Sequence, residues 1–217
     1  MKVLGVSGSP IKNSNTDRAV KQVLDATGME TEFIKLRGYQ IEPCRACLGC
    51  VDTNECVIGD DGNRLAQKAK DADALVVGCY TPYSSIDART KAFLERLYPL
   101  RHKHGFMQGK PGIAVTTCAI PADCEGMPPA CDNGVNAISF YMMEEGMNFL
   151  GSLKIQGNVP CIRCGYGDEC PMSGITMIFG KSANVDSVGI NAFEDQMDTT
   201  AEARLIGKKL VDALNQP

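Results

Sequence analysis

The sequence predicts an α/β fold in which helices cover both faces of a parallel sheet. Short, continuously apolar runs alternate with segments whose apolar residues recur at helical spacing. The run 74–79 is the clearest strand, because a strand that is apolar throughout is typical of the centre of a parallel sheet. Chains that alternate strand and helix in this way form doubly wound sheets.

Local signals then place each element. Residues 2–6 form an apolar run that ends in a Ser/Gly-rich turn, which indicates a buried first strand. Asn15 and Thr16 offer an N-cap to the helix that follows, and Gly28 ends it. The remaining strands are predicted at 32–36, 74–79, 112–117 and 153–159, and the remaining helices at 63–70, 88–97, 135–150 and 200–214. Five strands of this kind fit the flavodoxin-like order 2-1-3-4-5.

Length and composition favour an ordinary globular protein. A chain of 217 residues suits one domain spanning 1–217, and its 44% apolar and 22% charged residues are typical values. The net charge of −4 gives no basic field that would attract nucleic acid or an anionic membrane. The sequence has no run of about 18 apolar residues that could span a bilayer. We therefore expect a cytoplasmic protein.

Four cysteines lie close together in a loop predicted at 43–60. This first cysteine group consists of Cys44, Cys47, Cys50 and Cys56. Three thiolates spaced two residues apart can surround one metal centre, and the fourth completes the ligand set. Iron–sulfur clusters are held by four cysteines in such runs, whereas zinc usually takes two separated pairs. The spacing favours a 4Fe–4S cluster, with structural zinc or free thiols as the alternatives.

A second cysteine group repeats the pattern CxxCx₄EC within an insertion at about 160–190. It consists of Cys161, Cys164 and Cys170. Candidates for a fourth ligand lie in the loop after the fourth strand, which neighbours the loop after the fifth in this sheet order: Cys118, Cys124 and Cys131. Eleven cysteines in a reducing compartment favour metal ligation or redox chemistry over disulfides. The group predicts a second metal centre, either a cluster or zinc, with a disulfide pair as the alternative.

The loop between the first strand and the first helix is rich in hydroxyl and amide side chains. It reads Ser-Gly-Ser-Pro-Ile-Lys-Asn-Ser-Asn-Thr over residues 7–16. Backbone N–H groups and the positive end of a helix form an anion site there. The loop lacks Gly-Lys-Ser/Thr and GxGxxG, which excludes a nucleoside-triphosphate loop and a dinucleotide fingerprint. The hydroxyls suit the phosphate monoester of FMN, and an ordinary capped turn is the alternative.

Together, GSPxKxSNT and CxxCxxCx₅C resemble the iron–sulfur flavoproteins, a branch of the flavodoxin-like NAD(P)H-dependent FMN reductase family. The likeness runs from Met1 to about Leu97 and includes the final helix. It implies FMN at the carboxyl ends of the first, third and fourth strands, and a 4Fe–4S cluster. It also implies a homodimer or homotetramer in which the cluster of one subunit approaches the flavin of another.

By position, the resemblance assigns the phosphate to Ser7, Ser9, Ser14, Asn15 and Thr16. It assigns the flanks of the flavin ring to Pro82, Tyr83, Ser84, Ser85 and Ile86, and the far edge of the ring to Thr116, Thr117 and Cys118. The chain departs from the family at two places. Ile11 stands where many relatives carry arginine, and the loop after Pro82 lacks the glycine that relatives often have there.

The sequence therefore predicts an FMN-dependent oxidoreductase or electron-transfer flavoprotein that uses FMN and a 4Fe–4S cluster. It would pass electrons between a one-electron carrier and a two-electron acceptor, with a redox partner such as a ferredoxin or NAD(P)H. FMN would carry the chemistry, so no protein acid or nucleophile is required. One alternative is an NAD(P)H-dependent FMN or quinone reductase with a structural metal. The other is a zinc-stabilised binding module without catalysis.

Overall fold

The computed structural model describes residues 1–122 and 124–216. Its strands are β1 (Lys2–Ser7), β2 (Glu30–Lys35), β3 (Ala74–Tyr80), β4 (Pro111–Cys118) and β5 (Asn148–Gln156). Its helices are α1 (Asn15–Asp25), α2 (Asp61–Asp71), α3 (Ala88–Glu95), α4 (Ala130–Glu144), α5 (Gly174–Phe179), α6 (Val185–Val188) and α7 (Met197–Leu214). None of the described helices is long and apolar enough to cross a lipid bilayer. The predicted alternation of strand and helix is confirmed.

The five strands form one parallel sheet in the order β2-β1-β3-β4-β5, which confirms the predicted flavodoxin-like order. β3 is the central strand, and it is buried from Ala74 to Cys79. β1 and β4 pair with its two sides, so the carboxyl ends of these three strands lie next to one another. Ligands of doubly wound sheets bind at such a place. We call it the carboxyl edge.

Two apolar cores lie on opposite faces of the sheet. On one face α1 and α7 bury Val20 and Leu210, and on the other α4 buries Ile138 together with residues of α2 and α3. Adjacent residues of one strand serve different cores, because side chains alternate along a strand. Ala114 belongs to the α4 face and Val115 to the α1 face. Successive side chains at the end of β4 therefore point to opposite faces of the sheet.

The fourth helix and the fifth strand begin earlier than predicted. α4 covers Ala130–Glu144 instead of 135–150, and β5 covers Asn148–Gln156 instead of 153–159. Gly146, with φ of 69°, lies just after the end of the helix, as glycine commonly does. Gly151, with φ of 138°, lies inside β5 where its register against β4 shifts. The strand therefore continues through a β-bulge. The glycine in this bulge interrupts the apolar pattern, so the sequence predicts a strand that begins only at residue 153.

The insertion between β5 and α7 contains local structure. Two short helices, α5 and α6, follow the second cysteine group. Ser173 is buried in this region and donates to Gly167 O at 2.6 Å, which closes the cysteine-bearing loop on itself. Asp168 accepts from Val185 N at 2.7 Å and so joins that loop to α6. The cysteines of the insertion are therefore carried on a defined backbone.

Candidate functional site

The loop from β1 to α1 lies tightly against the start of α3. A Cβ atom at Gly8 would lie 1.9 Å from Thr90 Oγ1 and 2.7 Å from Asp87 Oδ1, so only glycine fits there. Asp87 is 1% exposed, and burial raises the pKa of its carboxyl although hydrogen bonds from Thr90 oppose the shift. Sequence reasoning missed both residues. Asp87 directly precedes the predicted helix at 88–97, and an aspartate in that position is an N-cap signal.

Two of the predicted phosphate donors, Ser7 and Ser14, form hydrogen bonds with Asp17. Ser7 is fully buried and donates from Oγ to Asp17 Oδ1 at 2.6 Å. Ser14 is the N-cap of α1: its Oγ accepts from Asp17 N at 3.1 Å, and Asp17 Oδ2 accepts from Ser14 N at 3.2 Å. Lys35 Nζ pairs with Asp17 Oδ1 at 2.6 Å. The Ser-x-x-Asp spacing of a capping box could have identified Asp17 from the sequence.

The other predicted donors lie where the loop enters α1. Thr16 Oγ1 donates to Thr117 Oγ1 at 2.9 Å, which ties the loop to the end of β4. Asn15 Nδ2 donates to Asn191 O at 2.9 Å. Ser9 Oγ accepts from Ile11 N at 3.4 Å, so its own hydroxyl proton is available. The first N–H groups of an α-helix have no intrahelical partner. Ser9 and the first turn of α1 are therefore the groups best placed to bind an anion.

The loop after β3 has an unusual backbone shape. Tyr83 and Ser84 have φ values of 51° and 58°, in the left-handed region that favours glycine. This is the loop in which the sequence lacks the glycine expected from the resemblance. Asn133 of α4 donates from Nδ2 to Ser84 O at 2.9 Å, and Ser85 N donates to Pro82 O at 3.2 Å. The backbone is held in this shape, and the Tyr83 ring is fully exposed beside it.

Two predicted ring contacts face the core instead. Ile86 packs against the core covered by α2, α3 and α4. Thr116 is fully buried, with Oγ1 3.6 Å from Cys79 Sγ. Cys79 is a core residue, as predicted, and burial raises the pKa of its thiol to about 12. Thr117 points to the opposite face and meets Thr16, because side chains alternate along β4.

Cys118 at the end of β4 forms a disulfide with Cys131 in the first turn of α4. The sequence predicts metal ligation instead, with both residues as possible fourth ligands of a second centre. The pairing corrects that expectation, because the return of the chain into α4 brings the two Cα atoms to 5.5 Å. The disulfide borders a cavity of about 290 Å³ that Cys124 and Gln156 also line. Cys124 remains as the candidate that is not in a disulfide.

The first cysteine group is brought together by its loop. All four side chains line one cavity of about 20 Å³: those of Cys44, Cys47, Cys50 and Cys56. Cys50 is buried and Cys47 is exposed, so the cavity reaches the surface. Burial raises the pKa of the Cys50 thiol, and the charges of the other three thiolates add to that effect. Ligation of a metal by all four as thiolates would require positive charge nearby to balance them.

A buried arginine supplies positive charge beside these thiolates. Arg96 is 1% exposed and lines the same cavity. Its Nη1 pairs with Asp60 at 2.7 Å, and its Nη2 donates to Ile58 O at 3.4 Å. Burial alone would lower the pKa of Arg96, but the hydrogen bond to Asp60 and the attraction of the Cys56 thiolate raise it. Its buried Nε has no hydrogen-bond partner among the described residues.

Side-chain amides fix the rest of this loop. Asn54 Nδ2 donates to Pro99 O at 2.8 Å and to His102 O at 2.6 Å, and Asn63 Nδ2 donates to Cys56 O at 2.7 Å. Ala46 N donates to Cys44 Sγ at 3.4 Å. Because these contacts lead to α2 and to the segment after α3, the cysteine positions depend on residues far from them in sequence.

The described cysteines do not converge on one point. In residues 1–122 and 124–216, no three Cys, His, Asp or Glu side chains are arranged to hold a single metal ion. The ligands of a polynuclear cluster stand further apart than those of one ion, because iron and sulfide atoms lie between them. A donor set of four cysteines is one that iron–sulfur clusters and zinc both use.

Comparisons with known proteins agree with this geometry. The family model described as NADPH-dependent FMN reductase matches residues 1–125. An iron–sulfur flavoprotein of Methanocaldococcus jannaschii is 37% identical over 123 residues, which are 55% of this chain and 63% of that protein. An iron–sulfur flavoprotein of Methanosarcina thermophila is 27% identical over 217 residues, covering 99% of this chain and 95% of that protein.

A solved structure agrees on the fold alone. The NAD(P)H:quinone oxidoreductase from Methanothermobacter marburgensis has a TM-score of 0.61 and 13% identity, with 97% of this chain and 96% of that chain covered. The family match extends over more than half of the chain and includes the phosphate loop, the first cysteine group and β4. The chain therefore belongs to the NADPH-dependent FMN reductase family. Its relatives place it in the branch whose members are called iron–sulfur flavoproteins.

Proposed function

We propose that this chain is an electron-transfer flavoprotein that binds FMN at the carboxyl edge and a 4Fe–4S cluster on the first cysteine group. The observation that carries the proposal is the cavity shared by all four cysteines and Arg96. It combines four soft thiolate ligands, a buried positive charge and an unused Nε donor. Hydrogen bonds and charges near sulfur are among the features that set cluster potentials.

The carboxyl edge supports the flavin part of the proposal. The Ser9 hydroxyl and the backbone N–H groups of Asn15 and Thr16 at the start of α1 would bind the phosphate. Tyr83 would lie against the flavin ring, and Thr117 would hold the end of β4 against the phosphate loop through Thr16. When bound, FMN can accept or donate either one or two electrons, whereas the cluster transfers one electron at a time. The protein's part is to position both groups and to exclude water from them.

The surface of the first cysteine group supports electron exchange with another molecule. Cys47, Leu48 and Val57 are all exposed, and Leu48 and Val57 are apolar. A centre that reaches the surface among apolar side chains can approach a second copy of the chain or a redox protein closely. We therefore propose a homodimer or homotetramer, and a ferredoxin-like protein or NAD(P)H as redox partner.

A visible spectrum of the protein purified anaerobically, together with iron and sulfide analysis, tests the proposal. We expect flavin bands with a broad iron–sulfur shoulder, and about four irons per chain on the first cysteine group. Cys50→Ala should lose this iron and keep FMN, because Cys50 is the buried member of the group. Cys79→Ala is the matched control, since that cysteine lies in the core away from the cavity. Unchanged iron in Cys50→Ala would contradict the ligand assignment.

A second function is favoured by the family description, which names an NADPH-dependent reductase. In that case the metal would be structural, and FMN would take electrons from NAD(P)H for a flavin or quinone acceptor. Rapid bleaching of the flavin bands by NADPH, unchanged in Cys50→Ala, would favour this function. A protein with neither flavin nor iron bands, but with zinc, would instead be a metal-stabilised binding module.

A further inference from the structure

The second cysteine group is part of neither the proposed flavin site nor the first cluster. It lies on the loop that leads from the end of β5 to α5, next to the loop that follows β4. Its three thiols are free: those of Cys161, Cys164 and Cys170. Cys164 is exposed and the other two are half-buried. Exposed cysteines with thiolate character are prone to oxidation unless a metal binds them.

Backbone N–H groups point at two of these sulfur atoms. Gly174 N donates to Cys161 Sγ at 3.2 Å, and Tyr166 N donates to Cys164 Sγ at 3.4 Å. The second contact has the same two-residue spacing as the bond from Ala46 N to Cys44 Sγ in the first cysteine group, at 3.4 Å. Hydrogen bonds of this kind stabilise thiolates and are typical of metal-bound cysteines. The second group thus reproduces a local feature of the first.

The fold brings a fourth cysteine to the same loop. Cys124 Sγ lies 3.7 Å from Ile178 O, although 54 residues separate them in the chain. Ile178 belongs to α5, whose first residue, Gly174, donates to Cys161 Sγ. A rise of 1.5 Å per residue places Gly174 and Ile178 about 6 Å apart along the helix axis. Cys124 and Cys161 therefore contact the same short helix.

Pairing of the neighbouring cysteines selects Cys124. Cys118 and Cys131 are bonded to each other, so Cys124 is the remaining thiol in the loop after β4.

We propose that Cys124, Cys161, Cys164 and Cys170 hold a second metal centre, and that this centre is an iron–sulfur cluster. The proposal goes beyond the function proposed above and does not depend on it. An independent physical reason for such a centre is that the insertion has a defined backbone although it buries few apolar side chains. Few of its large apolar side chains are buried, and Tyr166, Met172 and Met177 are exposed, so burial offsets little of the chain entropy lost on ordering. Metal ligation would supply that missing stabilisation.

Metal analysis of the intact protein, purified anaerobically, tests the proposal first. Two clusters require about eight irons and eight sulfides per chain, against about four for the first group alone. Zinc bound at one equivalent beside four irons would support the four ligands and overturn the cluster. Four irons, no zinc and ready alkylation of Cys161, Cys164 and Cys170 in the native protein would overturn the centre itself.

Matched variants then identify the fourth ligand. Cys124→Ser should lose about half of the iron, whereas Cys131→Ser, in the first turn of α4, should keep all of it. Cys164→Ser should behave like Cys124→Ser, and because Cys164 is exposed the change has little effect on packing. In each variant the first cluster and FMN should remain, which separates this result from a failure of the proposed function. Equal iron in Cys124→Ser and Cys131→Ser would refute the ligand assignment, whether or not either variant is less stable.

Discussion

Replacement of Arg96 by methionine is the sharpest test of how the first cysteine group is supported. The variant keeps an unbranched apolar stem and removes the guanidinium that pairs with Asp60 at 2.7 Å. Removal of one partner of a buried ion pair costs about 3–5 kcal/mol, because the other charge remains buried. Asp60 retains bonds from Glu42 N at 2.7 Å and Gly62 N at 2.9 Å, so we expect the lower end, about 3 kcal/mol.

Thermal unfolding of the anaerobic protein, followed by circular dichroism, measures this loss. For a chain of this size about 3 kcal/mol corresponds to a fall of about 6–12 °C in Tm. Lys103→Met is the matched control, since Lys103 pairs with Asp52 at 2.9 Å in the same region but both side chains are exposed. That variant should lose little stability, because exposed ion pairs contribute little. A Tm for Arg96→Met within 2 °C of the control, given about 2–4 °C per kcal/mol, would refute the reasoning.

The pH dependence of the stability of Arg96→Met tests whether loss of the ion pair with Asp60 causes the destabilisation. Burial alone would raise the pKa of Asp60, but bonds from Arg96 and from backbone N–H groups outweigh burial and lower it. The ionised Asp60 carboxylate therefore stabilises the folded protein at pH values above its unfolded pKa of about 3.9. This stabilisation is lost as the pH falls through the lower pKa that Asp60 has in the folded protein. Without Arg96 the buried carboxylate is less favourable and protonates more easily. The stability difference between wild type and Arg96→Met should shrink as the pH falls below about 4.

Two further predictions concern the carboxyl edge. Replacement of Ser9 and Thr16 together by alanine removes the free Ser9 hydroxyl and the Thr16–Thr117 bond that holds the phosphate loop, so it should weaken FMN binding by at least about 1.5–3 kcal/mol. Flavin fluorescence titration measures this change, and unchanged affinity would show that the phosphate binds elsewhere. Tyr83→Gly should leave the free energy of unfolding unchanged or raise it by up to about 1 kcal/mol, because glycine removes the left-handed strain, while it lowers FMN affinity. Ser84→Gly relieves the same strain and keeps the ring, so equal loss of affinity in both variants would contradict a role for the Tyr83 ring.

The sheet order could be predicted because it depends on local patterns. The buried run of β3 and the alternation of elements are properties of short segments, and connection rules then leave few topologies. The limits of α4 could not be read in the same way. Its apolar residues Val135, Ile138 and Met142 are followed by Met147 and the apolar start of β5, so the pattern continues past the helix end. The glycine at 146 was the available stop signal.

The cysteine groups were found from spacing, but their surroundings were not. Arg96 reaches the first group from the end of α3 and is 36 residues from its partner Asp60. Gly62 leaves room for it, since a Cβ atom there would lie 2.6 Å from the guanidinium carbon. The disulfide between Cys118 and Cys131 depends on how the chain enters α4. Contacts of this kind are set by the packed fold, and the spacing of residues in the sequence does not encode them.

Long-range hydrogen bonds also explain why the predicted phosphate donors behave differently from one another. Asn15 was identified as a donor, yet its amide is bound to the carbonyl of Asn191, 176 residues away. Asn191 N in turn donates to Asn158 Oδ1 at 2.7 Å, and Asn158 Nδ2 donates back to Asn191 O at 2.9 Å. Asn158 comes just before the second cysteine group, and Asn191 just after the end of the insertion. The carbonyl of Asn191 therefore joins the phosphate loop to both ends of the insertion, so order in the cysteine-bearing segment and order at the start of α1 depend on one shared set of bonds.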